Sequence, residues 1–253
     1  LPAPSVQQAS IVTNGFLHWQ IDLIDMSSLS GLNNKDHWIL TCIDKFTKFA
    51  YALRLKNKSG PVVLNGLAKI LDATPRLPHV IQSDNGGEFT SLEMARELKA
   101  QSIKQVFSAS YYPQSNGVIE RFNGTLKRQL FRHFTQYQTK KWNDVLPLVV
   151  DNYNHCKHSS TGYSPIVLQE AVLDDDNAIL RKASRRLQQR AVRSLKKSSV
   201  SLPALKIGDT VRISANTMVN ERKQTFRKHY LANWSQELYI VQNVSAGGQF
   251  NRP

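Results

Sequence analysis

Apolar residues fall into short, closely spaced runs over the first part of the chain. Three segments rich in Trp, Ile, Leu, Phe and Tyr cover residues 16–26, 37–44 and 48–55, with polar turns between them. Runs of this length and composition predict strands, and their short connections predict an antiparallel meander. Residues 79–84 and 104–110 predict a fourth and a fifth strand.

Segments with apolar residues at every third or fourth position alternate with the later strands. A first helix is predicted after Pro61, and a second around Thr90 and Glu93, which stand at capping-box spacing. A long helix is predicted over about residues 115–134, and another over residues 141–156, interrupted or started at its proline. This alternation predicts a mixed α/β sheet covered by helices.

The last third of the chain changes character. Residues 177–197 carry an apolar side chain at every fourth position with Arg and Lys between them. Such a helix can join two domains and lie along a phosphate backbone. The same pattern is typical of a solvated helix packed on its own core and of a nuclear-import signal. After Pro203, short strands with interleaved aromatic and basic residues predict a small β-barrel.

Composition places the chain among ordinary soluble proteins, with 41% hydrophobic and 9% aromatic residues. No apolar run approaches the ~18 residues that a membrane span requires. The two cysteines, Cys42 and Cys156, lack a paired spacing, so we expect a reducing compartment rather than a disulfide framework.

Positive charge is concentrated at one end of the chain. The net charge is +14, of which residues 1–176 contribute +2 and residues 177–253 contribute +12. This asymmetry indicates a polyanionic partner, most simply nucleic acid. A solvated basic tail is the alternative.

The stretch IQSDNGGEF places Asp84 at the end of a predicted strand. Active carboxylates in open α/β sheets commonly lie where strands end, because the loops there open a crevice. Gly86 and Gly87 lack Cβ atoms and can let another backbone approach. The same residues also suit a plain Asx turn.

Two further acids have distinctive settings. Glu120 begins the long helix, and 35 residues separate it from Asp84. Asp22 lies within the aromatic first strand, where a buried charge is costly unless it is paired or binds a metal. Carboxylates from a strand centre, a strand end and a helix start can converge on one crevice. Oxygen ligands of this kind suit Mg²⁺ or Mn²⁺ better than zinc.

Three motifs, WQIDLIDM, IQSDNGGEF and YYPQSNGVIERFNGTLKR, resemble the catalytic core of retroviral and retrotransposon DDE integrases, with its Asp, Asp-35-Glu arrangement. Residues 153–170 resemble the segment that closes this core. LKIGDTVRIS and residues 226–241 are similar to the SH3-like or chromodomain-like barrel of Maverick/Polinton transposon integrases, which the chain resembles most closely.

The resemblance implies an α/β fold with an RNase H-like mixed sheet flanked by helices and a small C-terminal SH3-like or chromodomain-like β-barrel. Four parts are expected: an extended N-terminal arm (1–15), the catalytic core (16–170), a basic helical linker (171–202) and the barrel (203–253). It implies that Asp22, Asp84 and Glu120 are the catalytic residues and the ligands of two Mg²⁺ or Mn²⁺ ions. Zinc is not expected, because residues 1–15 lack the paired His and Cys of the retroviral zinc domain.

The competing acids are Asp25, Asp44 and Glu88. Asp22 fits the W-x-x-D pattern of the family, whereas Asp25 lies three residues further along and points to the other face of a strand. Asp44 lies at the end of another predicted strand, and Glu88 is expected to be exposed or at a helix start.

The family holds the DNA end with the loop before Glu120 and with the helix that follows. Lys127 lies two turns beyond Glu120 on the same helical face, whereas Gly124 replaces a Lys that some retroviral relatives carry. The candidate DNA-binding residues are Tyr112, Gln114, Ser115, Asn116, Arg121, Lys127 and Arg128.

The resemblance implies a DNA integrase that trims the 3′ ends of element DNA and joins them to target DNA. Its implied partners are double-stranded DNA and further copies of itself, as a dimer or tetramer, with a chromatin contact through the barrel, no membrane, and nuclear localisation. Two alternatives stay open: a host-captured relative that binds DNA or protein without catalysis, and an RNase H-like nuclease that only hydrolyses.

Overall fold

Five strands form one mixed sheet in the spatial order β3-β2-β1-β4-β5. The first three, β1 (His18–Asp25), β2 (Trp38–Asp44) and β3 (Ala50–Leu55), are an antiparallel meander. On the other side of β1, β4 (Val80–Ser83) and β5 (Lys104–Phe107) run parallel to it. The predicted meander and mixed sheet are confirmed.

This computed structural model describes residues 17–108, 116–198, 206–212 and 237–242. The described residues fall into two compact units that divide between Arg193 and Ser194. Within them, no helix is both long and apolar enough to cross a bilayer. Cys42 is buried, Cys156 is exposed, and both are free thiols.

Helices cover both faces of the sheet, and a 3₁₀ helix (Ser27–Leu32) follows β1. The α-helices are α1 (Gly60–Ala73), α2 (Leu92–Ala100), α3 (Gly117–Tyr137), α4 (Trp142–His155), α5 (Pro165–Leu173) and α6 (Asn177–Ser198).

Alternation along β1 divides the core into two clusters, one on each face of the sheet. Trp19 and Ile21 pack in the cluster that includes residues of α1 and α2. Ile24 packs in the cluster that includes residues of α3 and α4. Because side chains alternate along a strand, Gln20 and Asp22 share the face of Ile24. The side chain of Asp22 therefore faces the helical layer that carries Glu120.

Two local predictions about helices are wrong. The N-cap of α2 is Ser91 rather than Thr90: the Ser91 hydroxyl accepts a hydrogen bond from the Met94 amide at 3.1 Å, while the Thr90 amide bonds Gly86 in the preceding turn. Helix α4 is continuous through Pro147. Its buried apolar face outweighs the hydrogen bond that a proline removes.

Helix α6 packs through the apolar stripe seen in the sequence. Ala183 is fully buried, and Ile179 and Leu187 are half-buried. On the polar side, Arg186 Nε donates to the Ser159 carbonyl at 3.2 Å and Arg190 donates to the Ser159 hydroxyl at 3.0 Å.

The second unit contains a two-stranded antiparallel sheet. Its strands are β6 (Thr210–Val211) and β7 (Tyr239–Ile240). The rest of the predicted barrel lies outside the described residues, so the barrel and the domain boundaries around it stay predictions.

Candidate active site

Asp22 lies near the centre of the sheet, where β1 pairs with Thr41 of β2. Its side chain is partly buried. Oδ1 accepts a hydrogen bond from the Leu23 amide at 2.8 Å, and Oδ2 accepts one from Asn123 Nδ2 at 2.8 Å. The carboxylate is therefore held in one orientation from both β1 and α3.

Asp84 follows directly after β4, as the sequence predicts, and is exposed. Its Oδ1 accepts a hydrogen bond from the Gly86 amide at 3.1 Å, which closes an Asx turn. The atoms nearest to a Cβ at Gly86 would be those of the flexible Glu88 carboxyl group, the first at 2.9 Å, and a Cβ at Gly87 would have no neighbour within 4 Å among the described residues. The close backbone approach expected at these glycines is not present among the described residues.

Glu120 lies in the first turn of α3 and is exposed. The helix is anchored beneath it by Ile119, Phe122 and Leu126, all of which are buried. These apolar residues face the sheet and hold the first turn of α3 in place. Glu120 lies on the other side of that turn, towards solvent.

The negative charges of Asp84 and Glu120 act on the Asp22 carboxyl. Burial raises the pKa of the Asp22 carboxyl to about 6; the Leu23 amide lowers this pKa, while the negative charges of Asp84 and Glu120 raise it further. The positive charge of Lys127 lowers it. Asp84, Glu120 and Lys127 thus lie close enough to Asp22 to affect its ionisation.

The donor set fits a hard divalent cation. Among the described residues, no three His, Cys, Asp or Glu side chains are already close enough to enclose a metal ion. However, Asp22, Asp84 and Glu120 offer only oxygen ligands, and their mutual repulsion is what a divalent cation would reverse. The side chain of Asn123 donates to Asp22 through its Nδ2. Its buried Oδ1 has no hydrogen-bond partner in the described part of the chain.

The basic candidates on α3 are exposed. The positive charge of Lys127 lowers the pKa of the Asp22 carboxyl. Arg121 Nε donates to the Gly117 carbonyl at 2.7 Å, and Arg128 donates to the Thr125 hydroxyl at 3.4 Å.

The loop candidates divide into two groups. Tyr112, Gln114 and Ser115 lie outside the described residues. Asn116 points inward: its Oδ1 accepts from Gln82 Nε2 at 3.1 Å, and its Nδ2 donates to the Ser108 hydroxyl at 2.9 Å.

Three positioning residues were missed from the sequence: Gln20, Gln82 and Asn123. Gln20 Oε1 accepts a hydrogen bond from the Ile119 amide at 3.0 Å, and Gln20 Nε2 donates to Gln82 Oε1 at 3.4 Å. This chain of hydrogen bonds ties β1 and β4 to the first turn of α3, which carries Glu120. The signals were available: Gln20 is two residues before Asp22 on the same strand face, and Asn123 is three residues after Glu120.

Two of the competing acids, Asp25 and Asp44, have local partners. Asp25 is exposed, and hydrogen bonds from Ser27 lower the pKa of its carboxyl. Asp44 is buried, which raises the pKa of its carboxyl, and it accepts hydrogen bonds from the Phe46 amide and from the amide and hydroxyl of Thr47. Asp44 therefore closes the β2–β3 turn.

Comparison with known proteins adds family information to this geometry. Two families, both described as "Integrase core domain", match residues 15–113 and 101–165. A transposon-derived protein of Caenorhabditis elegans is 27% identical over 223 residues, which are 87% of this chain and 68% of that protein.

Viral polyproteins match over a shorter length. The Pro-Pol polyprotein of simian foamy virus type 3 is 33% identical over 127 residues, covering 50% of this chain and 11% of the polyprotein. The Gag-Pol polyprotein of walleye dermal sarcoma virus is 33% identical over 138 residues, covering 53% of this chain and 7% of the polyprotein. This chain therefore spans only a small part of these relatives.

Solved structures share the fold. One is the simian T-cell lymphotropic virus intasome in complex with a PP2A regulatory subunit (TM-score 0.55, 21% identity, 62% of this chain and 56% of that chain). Another is the HTLV-2 integrase catalytic core domain in complex with magnesium (TM-score 0.51, 17% identity, 63% of this chain and 98% of that chain). The mixed sheet flanked by helices is thus that of an RNase H-like integrase core. The sequence matches support an integrase core of the retroviral or retrotransposon type within residues 15–165.

Proposed function

We propose that this protein is a DNA integrase that performs polynucleotidyl transfer with Asp22, Asp84 and Glu120. The observation that carries the proposal is the convergence of the three charges at Asp22, within a segment that matches the integrase core domain. The closer relationship to Maverick/Polinton integrases is part of the same proposal.

The three carboxylates would hold two Mg²⁺ or Mn²⁺ ions. When bound, such a pair activates a water or a 3′-hydroxyl on one side of a phosphodiester and stabilises the leaving oxygen on the other. The protein supplies the orientation of the ligands. Asn123 and the Leu23 amide fix the Asp22 carboxylate, and Gln20 fixes the first turn of the helix that bears Glu120.

Two reactions would use this one site. In the first, water attacks a phosphodiester near the 3′ end of the element DNA, releases the terminal nucleotides and leaves a 3′-hydroxyl. In the second, that hydroxyl attacks a phosphodiester of the target, so that a new P–O bond replaces the broken one and the target strand is released with its own 3′-hydroxyl. Neither step needs a covalent bond to the protein.

The partners are double-stranded DNA, as element ends and as target, and further copies of this chain as a dimer or tetramer. The +12 charge of residues 177–253 supports the DNA partner, and the intasome and trimeric core among the structural neighbours support an assembly. We further propose nuclear localisation, the four-part domain organisation, and a chromatin or DNA contact through the C-terminal barrel.

A direct test incubates the full chain with Mg²⁺ or Mn²⁺, a labelled duplex that carries the ends of its own element, and a supercoiled plasmid. The proposal predicts shortened 3′ strands and joined products, both lost without divalent metal. Tight DNA binding without either product would contradict it and would favour the alternative, a host-captured relative that binds DNA without catalysis. Shortened strands without joined products would favour a nuclease.

A further inference from the structure

Three cationic side chains lie beside the candidate active site, and none of them has an acidic partner at salt-bridge distance within the part of the chain that the structure describes. Lys45 and Lys48 belong to the turn between β2 and β3, and Arg121 follows Glu120 on α3. We call these three residues the cation cluster. Nothing in the proposed catalytic chemistry uses Lys45 or Lys48.

Each cation is held by uncharged acceptors. Lys45 Nζ donates to Gln82 Oε1 at 3.4 Å, Lys48 Nζ donates to the Lys45 carbonyl at 2.5 Å, and Arg121 Nε donates to the Gly117 carbonyl at 2.7 Å. In the part of the chain that the structure describes, the salt bridges join Arg54 and Lys56 to Asp36, and His155 to Asp151. None of these pairs includes a residue of the cation cluster.

Two observations place these cations near one another. Lys45 and Lys48 lie in the same turn, where the Lys48 ammonium bonds the Lys45 carbonyl, and the charge of Arg121 on α3 acts on Lys48. Burial lowers the pKa of Lys48 to about 8; the charge of Asp44 opposes this, while the positive charges of Arg121 and Lys45 lower the pKa further. The charge of Lys48 also adds to the burial that lowers the pKa of His158.

The nearest counter-charge does not balance the cluster. Asp44 is a single buried carboxylate, and one of its oxygens already accepts three hydrogen bonds from the turn. Three cations against one anion leave an excess of positive charge at a partly buried position, which is unfavourable unless an anion binds there. Lys and Arg donors of this kind are the usual partners of phosphate oxygens.

We propose that Lys45, Lys48 and Arg121 bind one or two backbone phosphates of the DNA on which the active site acts. This inference rests on the proposed function for its choice of DNA as the anion. Gln82 links the two sites, because it accepts from Lys45 and donates to Asn116 at the start of the Glu120 helix. A phosphate bound at the cation cluster would therefore fix the DNA backbone relative to the three acids.

The test measures duplex binding by fluorescence anisotropy between 50 and 200 mM salt, without divalent metal, so that catalysis plays no part. The variants are the double substitution Lys45→Gln/Lys48→Gln and the single substitution Arg121→Gln. The matched control is Lys69→Gln/Lys99→Gln, which removes two exposed cations from α1 and α2 on the opposite face of the sheet.

Each phosphate contact contributes about 0.9 to the slope of log affinity against log salt. The loss of affinity across this salt range should therefore become about 3- to 12-fold smaller in the Lys45/Lys48 variant than in the control. Arg121→Gln should give a change of the same sign, and because its side chain is exposed it tests the site even if the double variant fails to fold.

The proposed phosphate site would be contradicted if Arg121→Gln and the folded double variant both had the same salt slope as the control. The measurement is independent of the proposed catalysis. If the wild-type chain joins no DNA but its salt slope still depends on the cation cluster, the catalytic proposal fails while the phosphate site stands.

Discussion

The two faces of the five-stranded sheet are built from the same strands but bury different kinds of side chain. Towards α1 and α2, the sheet contributes Trp19, Ile21 and Ile81 to an apolar cluster. Towards α3 and α4, the alternate positions of the same strands include Gln20 and Gln82, which are buried and hydrogen-bonded to one another.

The difference separates packing from chemistry. The α1/α2 face stabilises the sheet mainly by apolar burial, which is non-directional. The α3/α4 face combines an apolar cluster with directional hydrogen bonds that connect Gln20, Asp22 and Asn123 across β1 and α3. Substitutions on the first face should therefore change stability, and substitutions at the site should change activity.

The largest effect is expected from Asp84→Asn and Glu120→Gln. Each removes a carboxylate charge proposed to hold a metal, which is worth several kcal/mol in the transition state, so joining should fall about a thousandfold or more. Both side chains are exposed, so the unfolding midpoint should stay close to that of the wild type. Strand joining on labelled DNA and thermal unfolding measure the two effects.

Glu93→Gln on α2 is a matched control, because it removes an exposed acid from the opposite face. Its joining rate should equal that of the wild type. Unimpaired joining by Asp84→Asn or Glu120→Gln would remove these residues from the catalytic assignment.

Leu67→Ala on α1 should lower stability without changing the joining activity. Leu67 is fully buried, so its truncation should lower the free energy of unfolding by about 2–5 kcal/mol. Leu92→Ala, at an exposed position of α2, should change it by less than about 0.5 kcal/mol. Chemical denaturation measures both, and joining per folded molecule should not change in either variant. A stable Leu67→Ala protein with impaired joining would show that the two faces are not separable.

The comparison also shows which features the sequence could predict. The aromatic strands were predictable because alternation and turn residues are local signals, and the positions of Asp22 and Asp84 in β1 and after β4 follow from them. The N-cap at Ser91 was missed because Thr90 has an equally good side chain, and only the preceding turn excludes it. The link between Gln20 and the Ile119 amide spans 99 residues, so no local pattern reveals it. The continuity of α4 through Pro147 depends on tertiary burial and was missed for the same reason.

Asp22 should make stability depend on pH in the absence of divalent metal. Its pKa rises from 3.8 in the unfolded chain to about 6 in the folded protein, so the folded state binds its proton more tightly. The free energy of unfolding should then fall as pH rises from about 4 to about 6, and level off above, by at most about 3 kcal/mol and by less with solvent screening.

Denaturation of wild type and Asp22→Asn across this range isolates the effect, because the Asn side chain does not titrate. The difference in free energy between the two proteins should grow with pH in favour of Asp22→Asn. A difference independent of pH would show that the Asp22 carboxyl has an ordinary pKa.

The smallest effect is expected from Asn123→Ala, which removes the hydrogen bond to Asp22 Oδ2. The loss of one hydrogen bond to a charged group costs about 1.5–3 kcal/mol, so joining should fall about ten- to a hundredfold and the pKa of Asp22 should rise further. Asn154→Ala is the matched control, because Asn154 is a buried asparagine on α4 that bonds the Ala50 backbone. It should lower stability without changing the pH dependence assigned to Asp22. If Asn123→Ala and Asn154→Ala impaired joining equally, Asn123 would contribute to stability only and would not position Asp22.

The most direct test of the proposed metal site is Mn²⁺ binding to the protein alone, measured from the electron paramagnetic resonance signal of the free ion. We expect the wild-type protein to bind Mn²⁺ more tightly above pH 6 than below it, and we expect Asp22→Asn, Asp84→Asn and Glu120→Gln each to weaken binding at least about tenfold. Mn²⁺ affinity that is the same in the wild type and in all three variants would show that these carboxylates do not form a metal site.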